Sequence, residues 1–173
     1  MKPAIFLDRD GTLCESPPKG EYPIDPAKMR VFGLSKKFIR CVSAMGLMPV
    51  IVTNQACIRH GLATPTTVQM VHVEFERQLG IVLPLYMCYH RPEDNCECRK
   101  PKPGMLLEAA EALDIDLSRS IMVGDNDTDV QAGRAAGCAL SFKLTVPGDC
   151  GGPGSLSHLL LHLNDLYQAD LLP

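Results

Sequence analysis

The segment Ile5-Phe6-Leu7-Asp8-Arg9-Asp10-Gly11-Thr12 sets two carboxylates one residue apart at the end of an apolar run. Paired acids at the mouth of a buried strand repel each other unless something neutralises them. A hard cation with oxygen ligands does so, and magnesium is the usual choice. Gly11 gives the turn freedom at positive φ, and Thr12 can cap the turn after it. Asp-x-Asp-Gly also occurs in plain turns and in calcium loops. The calcium reading requires oxygen ligands at Thr12, Ser16 and Lys19, and lysine in the last place defeats it. Three further polar signals stand after apolar runs. Thr53-Asn54-Gln55 offers a hydroxyl that could hold a phosphate oxygen or simply cap a turn. Lys100 lies in Cys98-Arg99-Lys100-Pro101-Lys102-Pro103-Gly104, where two prolines stiffen the chain around a cation; otherwise this is a solvated basic loop. Gly124-Asp125-Asn126-Asp127-Thr128-Asp129 adds acids, of which Asp127 also suits a helix N-cap.

A second cluster is made of sulfur and imidazole. Cys88-Tyr89-His90 is followed after five residues by Cys96-Glu97-Cys98. Three thiolates and one imidazole complete a tetrahedral set for Zn2+ and leave no position for water, so the metal would be structural. It would order a loop with little core of its own and hold Arg99 and Lys100, which come directly after it. The remaining cysteines, Cys14, Cys41, Cys57, Cys138 and Cys150, read as small buried or half-buried residues.

The elements that must position these groups alternate in period. Strand-like runs are expected at Lys2 to Leu7, Met48 to Val52, Val82 to Met87, Ser120 to Val123 and Cys138 to Phe142. Helical segments are expected at Leu34 to Met45 with Gly46 as the stop, Thr64-Pro65 to about Leu79 with Gly80 past the end, Pro103 to Leu113, and Asp127 to Ala136 with Gly137 beyond. Ser16 to Pro26 is loop, Thr145 to Gly154 is a Gly/Pro linker, and Leu156 to Leu171 is an amphipathic helix or frayed tail. This alternation predicts an α/β fold with a parallel sheet and helices on both faces. Ligands bind such sheets beyond the carboxyl ends of the strands, where Asp8, Asp10, Thr53, Asn54 and Asp125 all fall.

At 173 residues the chain suits one domain, residues 1–173. A net charge of −3 calls for neither nucleic acid nor an anionic membrane as partner. No apolar run approaches the ~20 residues that cross a bilayer, and the start lacks a signal-peptide pattern, so a cytoplasmic location is expected.

Asp8-x-Asp10-Gly11-Thr12, Thr53, Lys100 and Gly124-Asp125-x-x-x-Asp129, in that order and at strand ends, resemble the four motifs of the haloacid dehalogenase (HAD) superfamily. The resemblance implies a HAD-like Rossmannoid three-layer fold around a central parallel sheet, and no interval between the motifs could hold a large cap domain. It implies Asp8 as nucleophile, Asp10 as acid and base, and Mg2+ held by Asp8, the Asp10 backbone carbonyl and Asp125. Thr53 and Lys100 would hold the phosphoryl oxygens, with Asp129 supporting the metal shell or Lys100. The loop Cys-x-His…Cys-x-Cys-Arg-Lys-Pro is typical of a small branch holding heptose bisphosphate phosphatases and histidinol-phosphate phosphatases. Thr53-Asn54-Gln55, Ile58-Arg59-His60-Gly61 and Arg99-Lys100-Pro101-Lys102-Pro103-Gly104 resemble the heptose enzymes, which makes Asn54, Arg59 and Arg99 candidate substrate contacts. Ala56-Cys57 and Asn126 depart from that pattern, and Glu15-Ser16-Pro17-Pro18 resembles the histidinol-phosphate enzymes, where Glu15 or Glu21 could meet a substrate ammonium. The partner implied is a small phosphorylated metabolite, and the protein is expected to be a monomer. A non-enzymatic zinc-binding interaction module would explain the cysteines but not acids at three strand ends. A phosphatase acting on nucleic-acid ends would require basic and aromatic surfaces that a chain with no Trp and net negative charge lacks.

Overall fold

The computed structural model describes residues 1–146 and 151–172. Five strands, β1 (Ala4–Leu7), β2 (Met48–Asn54), β3 (Leu85–Cys88), β4 (Ile121–Gly124) and β5 (Leu140–Lys143), form one sheet in the order β3-β2-β1-β4-β5. Every pairing is parallel. The helices are α1 (Ser35–Ala44), α2 (Pro65–Leu79), α3 (Gly104–Leu113), α4 (Asp127–Ala136) and α5 (Leu156–Gln168).

The residues of β1 have no exposed surface, as a central strand covered on both faces requires. Side chains alternate across a strand. Ile5 and Leu7 therefore enter one apolar layer with Phe38 and Ile39 of α1, Phe75 of α2 and Leu156 of α5. Ala4 and Phe6 enter the other with Met105 and Leu106 of α3 and Ala132 of α4. Three layers result, as the motif order implied.

Local chemistry sets the helix ends. Thr64 accepts a hydrogen bond from the Thr67 backbone N–H at 3.1 Å, Pro65 opens α2, and Gly80 closes it in the left-handed conformation. α4 begins as expected at Asp127, but its cap is Asn126, whose extended backbone forms a capping box with Asp129. Asp127 instead pairs with Lys143 at 2.8 Å.

Four strands start later than expected, β1 at Ala4 and β4 at Ile121 as well as β3 and β5, and the last two have a local cause. Val82 is 78% exposed and β3 begins only after Pro84, whose carbonyl still accepts from the Ile51 N–H at 2.8 Å. Cys138 is consumed by the end of α4, donating its N–H to the Gly133 carbonyl, so β5 waits until Leu140. The C-terminal segment is a helix rather than a frayed tail: Ser155 caps it, and Leu156, Leu159 and Leu163 bury one face. Cys14 and Cys57 are buried, and Cys41 and Cys138 half-buried. Cys150 and the middle of the expected linker lie outside the described residues.

Candidate active site

The register of the sheet brings the acids together. The Asp8 N–H donates to the Val123 carbonyl at 3.0 Å, so β1 runs alongside β4 to its last residue and Asp8 emerges beside Gly124-Asp125. A carboxylate oxygen from each of Asp8, Asp125 and Asp129 lies within 4.8 Å of the others. Two glycines make this approach possible. A Cβ on Gly11, whose φ is +86°, would run into the Asp125 carboxylate, and one on Gly124 would run into Asp129.

Lys100 arrives from the opposite side. Its ammonium donates to Asp8 Oδ1 at 2.6 Å, to Asp129 Oδ1 at 2.6 Å and to the Val52 carbonyl at 2.8 Å. Its backbone is held by Asn54: the Lys100 N–H donates to Asn54 Oδ1, and Asn54 Nδ2 donates to the Lys100 carbonyl, both at 3.2 Å. Asn54, expected at the substrate, thus uses both ends of its amide to seat the lysine.

Electrostatics follow from burial. Burial pushes the Asp8 carboxyl up to about 7, against the pull of Lys100 and with help from Asp129 and Asp10. Asp125 is raised by burial and then by Asp129. Burial works to lower the Lys100 ammonium, but Asp8 and Asp129 overcome it and hold the value above the ordinary one. Three acids facing one ammonium leave the cluster short of positive charge. A hard cation with oxygen ligands fits that deficit, and Asp8, Asp125 and Asp129 are the carboxylates within reach.

Thr53 is buried, and its Oγ1 accepts from Gln55 Nε2 at 2.9 Å. The Asp10 carboxylate points into a cage: Arg9 donates Nε to Oδ1 at 3.1 Å and Nη2 to Oδ2 at 2.9 Å, and Gln55 Nε2 donates to Oδ2 at 2.6 Å. Sequence reasoning assigned no role to Arg9 or Gln55. The signals were present: a cation between two acids at a buried strand end, and a glutamine two residues past Thr53, on the same side of an extended chain.

The sulfur cluster forms as the spacing suggested. Donor atoms of Cys88, His90, Cys96 and Cys98 all lie within 4.8 Å of one another. Cys88 Sγ is 3.7 Å from Cys96 Sγ and 3.3 Å from Cys98 Sγ, and His90 Nδ1 is 3.3 Å from Cys98 Sγ. Ligands at about 2.0–2.3 Å from a tetrahedral zinc would stand about 3.5–3.8 Å apart, and the donors here, 3.3–3.7 Å apart, come within a few tenths of an ångström of that. Arg99 donates Nη1 to the His90 carbonyl at 2.9 Å, tying the residue before the lysine to this loop. Arg59 is largely exposed and lies 3.4 Å from Asp94, which also receives Arg91.

A buried acid at the end of β1, a lysine bridging it to a second acid, and a third acid after β4 meet at the carboxyl ends of the strands. The HAD-hydrolase-like family model matches residues 97–145, the stretch from the cysteine loop through β4 to β5. The D-glycero-beta-D-manno-heptose-1,7-bisphosphate 7-phosphatase of Pasteurella multocida is 38% identical over 163 residues, covering 88% of this chain and 85% of that protein. The enzyme of the same name from Bordetella bronchiseptica is 34% identical over 139 residues, covering 78% of this chain and 76% of that protein. The crystal structure of D,D-heptose 1,7-bisphosphate phosphatase from B. bronchiseptica, complexed with magnesium and phosphate, superposes with a TM-score of 0.80 at 28% identity, over 94% of this chain and 98% of that one. Fold, site and relatives define a HAD-like phosphatase, a phosphoric monoester hydrolase. Within that class the chain belongs to the family of the D-glycero-D-manno-heptose-1,7-bisphosphate 7-phosphatases.

Proposed function

We propose that this protein removes the 7-phosphate of D-glycero-D-manno-heptose 1,7-bisphosphate, leaving heptose 1-phosphate. The observation that carries the chemistry is the Lys100 ammonium held 2.6 Å from both Asp8 and Asp129 at the carboxyl ends of the strands. The Asp8 carboxylate attacks phosphorus, the ester P–O bond breaks, and an aspartyl-phosphate forms on Asp8. Asp10 gives its proton to the departing sugar oxygen. It then takes a proton from the water that attacks the aspartyl-phosphate, which releases inorganic phosphate and restores Asp8. Thr53 and Lys100 hold the phosphoryl oxygens as charge shifts onto them. Asp8, Asp125 and the Asp10 backbone carbonyl would hold magnesium, which when bound supplies charge neutralisation for the meeting of a carboxylate with a phosphate. Asp129 supports this arrangement through Lys100.

The substrate reading is supported by the two relatives named above and by Arg99, which stands next to Lys100 in sequence and would bring a cation to a second phosphate. Arg59 could contribute a second cation if Asp94 releases it. Cys88, His90, Cys96 and Cys98 would hold a structural zinc, and the whole chain would act as one catalytic domain on a small phosphorylated metabolite. Among the described residues no helix is long and apolar enough to cross a membrane.

A second substrate, histidinol phosphate, has one observation in its favour. A cavity of about 660 Å³ is lined by Glu15, Glu21 and Asp25 together with Lys28, Tyr22 and Leu62, and three acids against one lysine suit an ammonium. A panel of phosphomonoesters ranked by kcat/KM decides between them. Heptose 1,7-bisphosphate should lead, with heptose 1-phosphate as the product. A lead for histidinol phosphate would reverse the assignment. Phosphate release that persists in Asp8→Asn would remove the covalent mechanism altogether.

A further inference from the structure

Arg9 is the largest side chain in the described structure with no exposed surface. A buried guanidinium is costly unless it is paired and hydrogen-bonded. Its side-chain bonds both go to one residue, the bidentate fork onto Asp10, and Nη1 has no partner among the described residues. His72 of α2 is a buried neighbour held down to about 4 by burial and then by Arg9 itself, so it is neutral and does not repel the guanidinium. Asp10 is engaged from every side. Oδ1 takes Arg9 Nε and lies 3.5 Å from the Cys14 thiol, while Oδ2 takes Arg9 Nη2 and Gln55 Nε2. Gln55 is itself 1% exposed, and its amide spans from Asp10 to Thr53 Oγ1.

We propose that Arg9 and Gln55 are positioning residues for Asp10: they set where its carboxylate stands, and Gln55 ties that position to the Thr53 hydroxyl. Two features separate this from a fold-stabilising ion pair. The pair does not join two distant elements, since Arg9 and Asp10 are one residue apart and closing their contact crosslinks nothing. The glutamine joins the acid to a group that would hold the phosphoryl oxygens, which are the two things that must keep a fixed distance during transfer. A displacement of about 1 Å is enough to cost a catalytic group much of its effect.

This inference rests on Asp10 being the acid and base, and the test separates the two. A strong acid assists a poor leaving group and is nearly idle for a good one. The probes are p-nitrophenyl, phenyl and simple alkyl phosphates, compared by kcat/KM, which reports transfer to Asp8. Gln55→Leu keeps the volume and removes the amide. It should lose about 10- to 100-fold on alkyl phosphates, part of the roughly 10²- to 10⁴-fold a general acid contributes, and less than about threefold on p-nitrophenyl phosphate. Arg9→Lys, which keeps the charge and loses the fork, should show the same tilt. Asp10→Asn is the reference and should tilt most. If Asp10→Asn loses rate evenly across the series, the assignment of Asp10 is wrong. If Asp10→Asn tilts and Gln55→Leu loses rate evenly or not at all, the assignment stands and the positioning role is refuted. Thermal unfolding identifies an Arg9→Lys variant that fails to fold, in which case Gln55→Leu alone decides.

Discussion

Replacing Lys100 with methionine keeps most of the apolar stem and deletes the charge. The side chain is 2% exposed, and its ammonium touches Asp8 and Asp129 at 2.6 Å and the Val52 carbonyl at 2.8 Å. Removing one partner of a buried ionic cluster costs about 3–5 kcal/mol, mostly because the acids left behind have nothing to pair with. Magnesium at a hundredfold excess over its dissociation constant should return about 2.7 kcal/mol by mass action. Lys100→Met combined with Asp129→Asn removes one of the stranded charges. The double variant should therefore be more stable than Lys100→Met alone, with a coupling of about 1–3 kcal/mol between two residues in direct contact. Turnover should not recover with it. Loss of a preorganised donor at an oxyanion costs about 10²- to 10³-fold in kcat, and neither methionine nor asparagine replaces that charge. The measurements are denaturant unfolding with and without magnesium, and phosphate release at saturating substrate. Near-wild-type kcat in Lys100→Met would refute the role of the ammonium at the phosphoryl group. A double variant no more stable than the single one would refute the electrostatic account of the cluster.

Two further outcomes are expected. Metal analysis should find close to one tightly held zinc per chain, and chelation should lower Tm and turnover together, because the loop from Cys88 to Cys98 runs directly into Arg99 and Lys100; full activity and unchanged Tm with all zinc removed would end the structural role. His72 sits at about 4 in the fold, lowered by burial and Arg9, against about 6.5 in an unfolded chain. The unfolded chain therefore binds this proton first, so stability is intact above about pH 6.5 and falls as pH drops toward 4, by about 2 kcal/mol at pH 5 from this group; His72→Phe should flatten that limb, and an unchanged slope would remove His72 as its cause.

Groups bound to strand ends were legible in the sequence because buried parallel strands announce themselves as apolar runs, and the residues next after such a run must sit on the ligand-binding edge. That logic placed Asp8, Thr53 and Asp125 without a structure. The cysteine loop was legible for a different reason, since four soft ligands at compact spacing have few other uses. Strand starts were harder. Val82 and Leu83 look like strand, but Pro84 has no N–H to give the ladder, and pairing begins at Leu85. The cap of α4 went to Asn126 because a cap is chosen by backbone angles and by the reach of Asp129, neither of which composition encodes. Asn54 was read as a substrate contact because Thr53-Asn54-Gln55 resembles a loop of the heptose enzymes, yet its partner is 46 residues away in sequence. Long-range seating of this kind appears only when two strand-end loops are seen side by side. Arg9 was hidden by the same limitation: a single arginine between acids looks like charge balance until its complete burial is known.

For the proposed reaction a cation would be a chemical requirement and not only a structural one. Asp8 would attack phosphorus only as a carboxylate, and burial, with Asp129 and Asp10 adding to it, holds that group up at about 7 even against the pull of Lys100. Lys100 pulls the other way, but its ammonium is shared with Asp129, so its charge is divided with an acid that does no bond making. An opposite charge within a few ångströms favours the ionised form of a carboxyl group. A divalent ion among Asp8, Asp125 and the backbone of Asp10 would therefore do two things at once, ionising the nucleophile and neutralising the phosphate that approaches it. Asp129 then has a purpose that a third acid in the cluster otherwise lacks. In the proposed mechanism it would keep Lys100 charged and aimed while Asp8 is consumed as the aspartyl-phosphate, so the cation needed for the second half of the reaction would not drift when its first partner loses its charge.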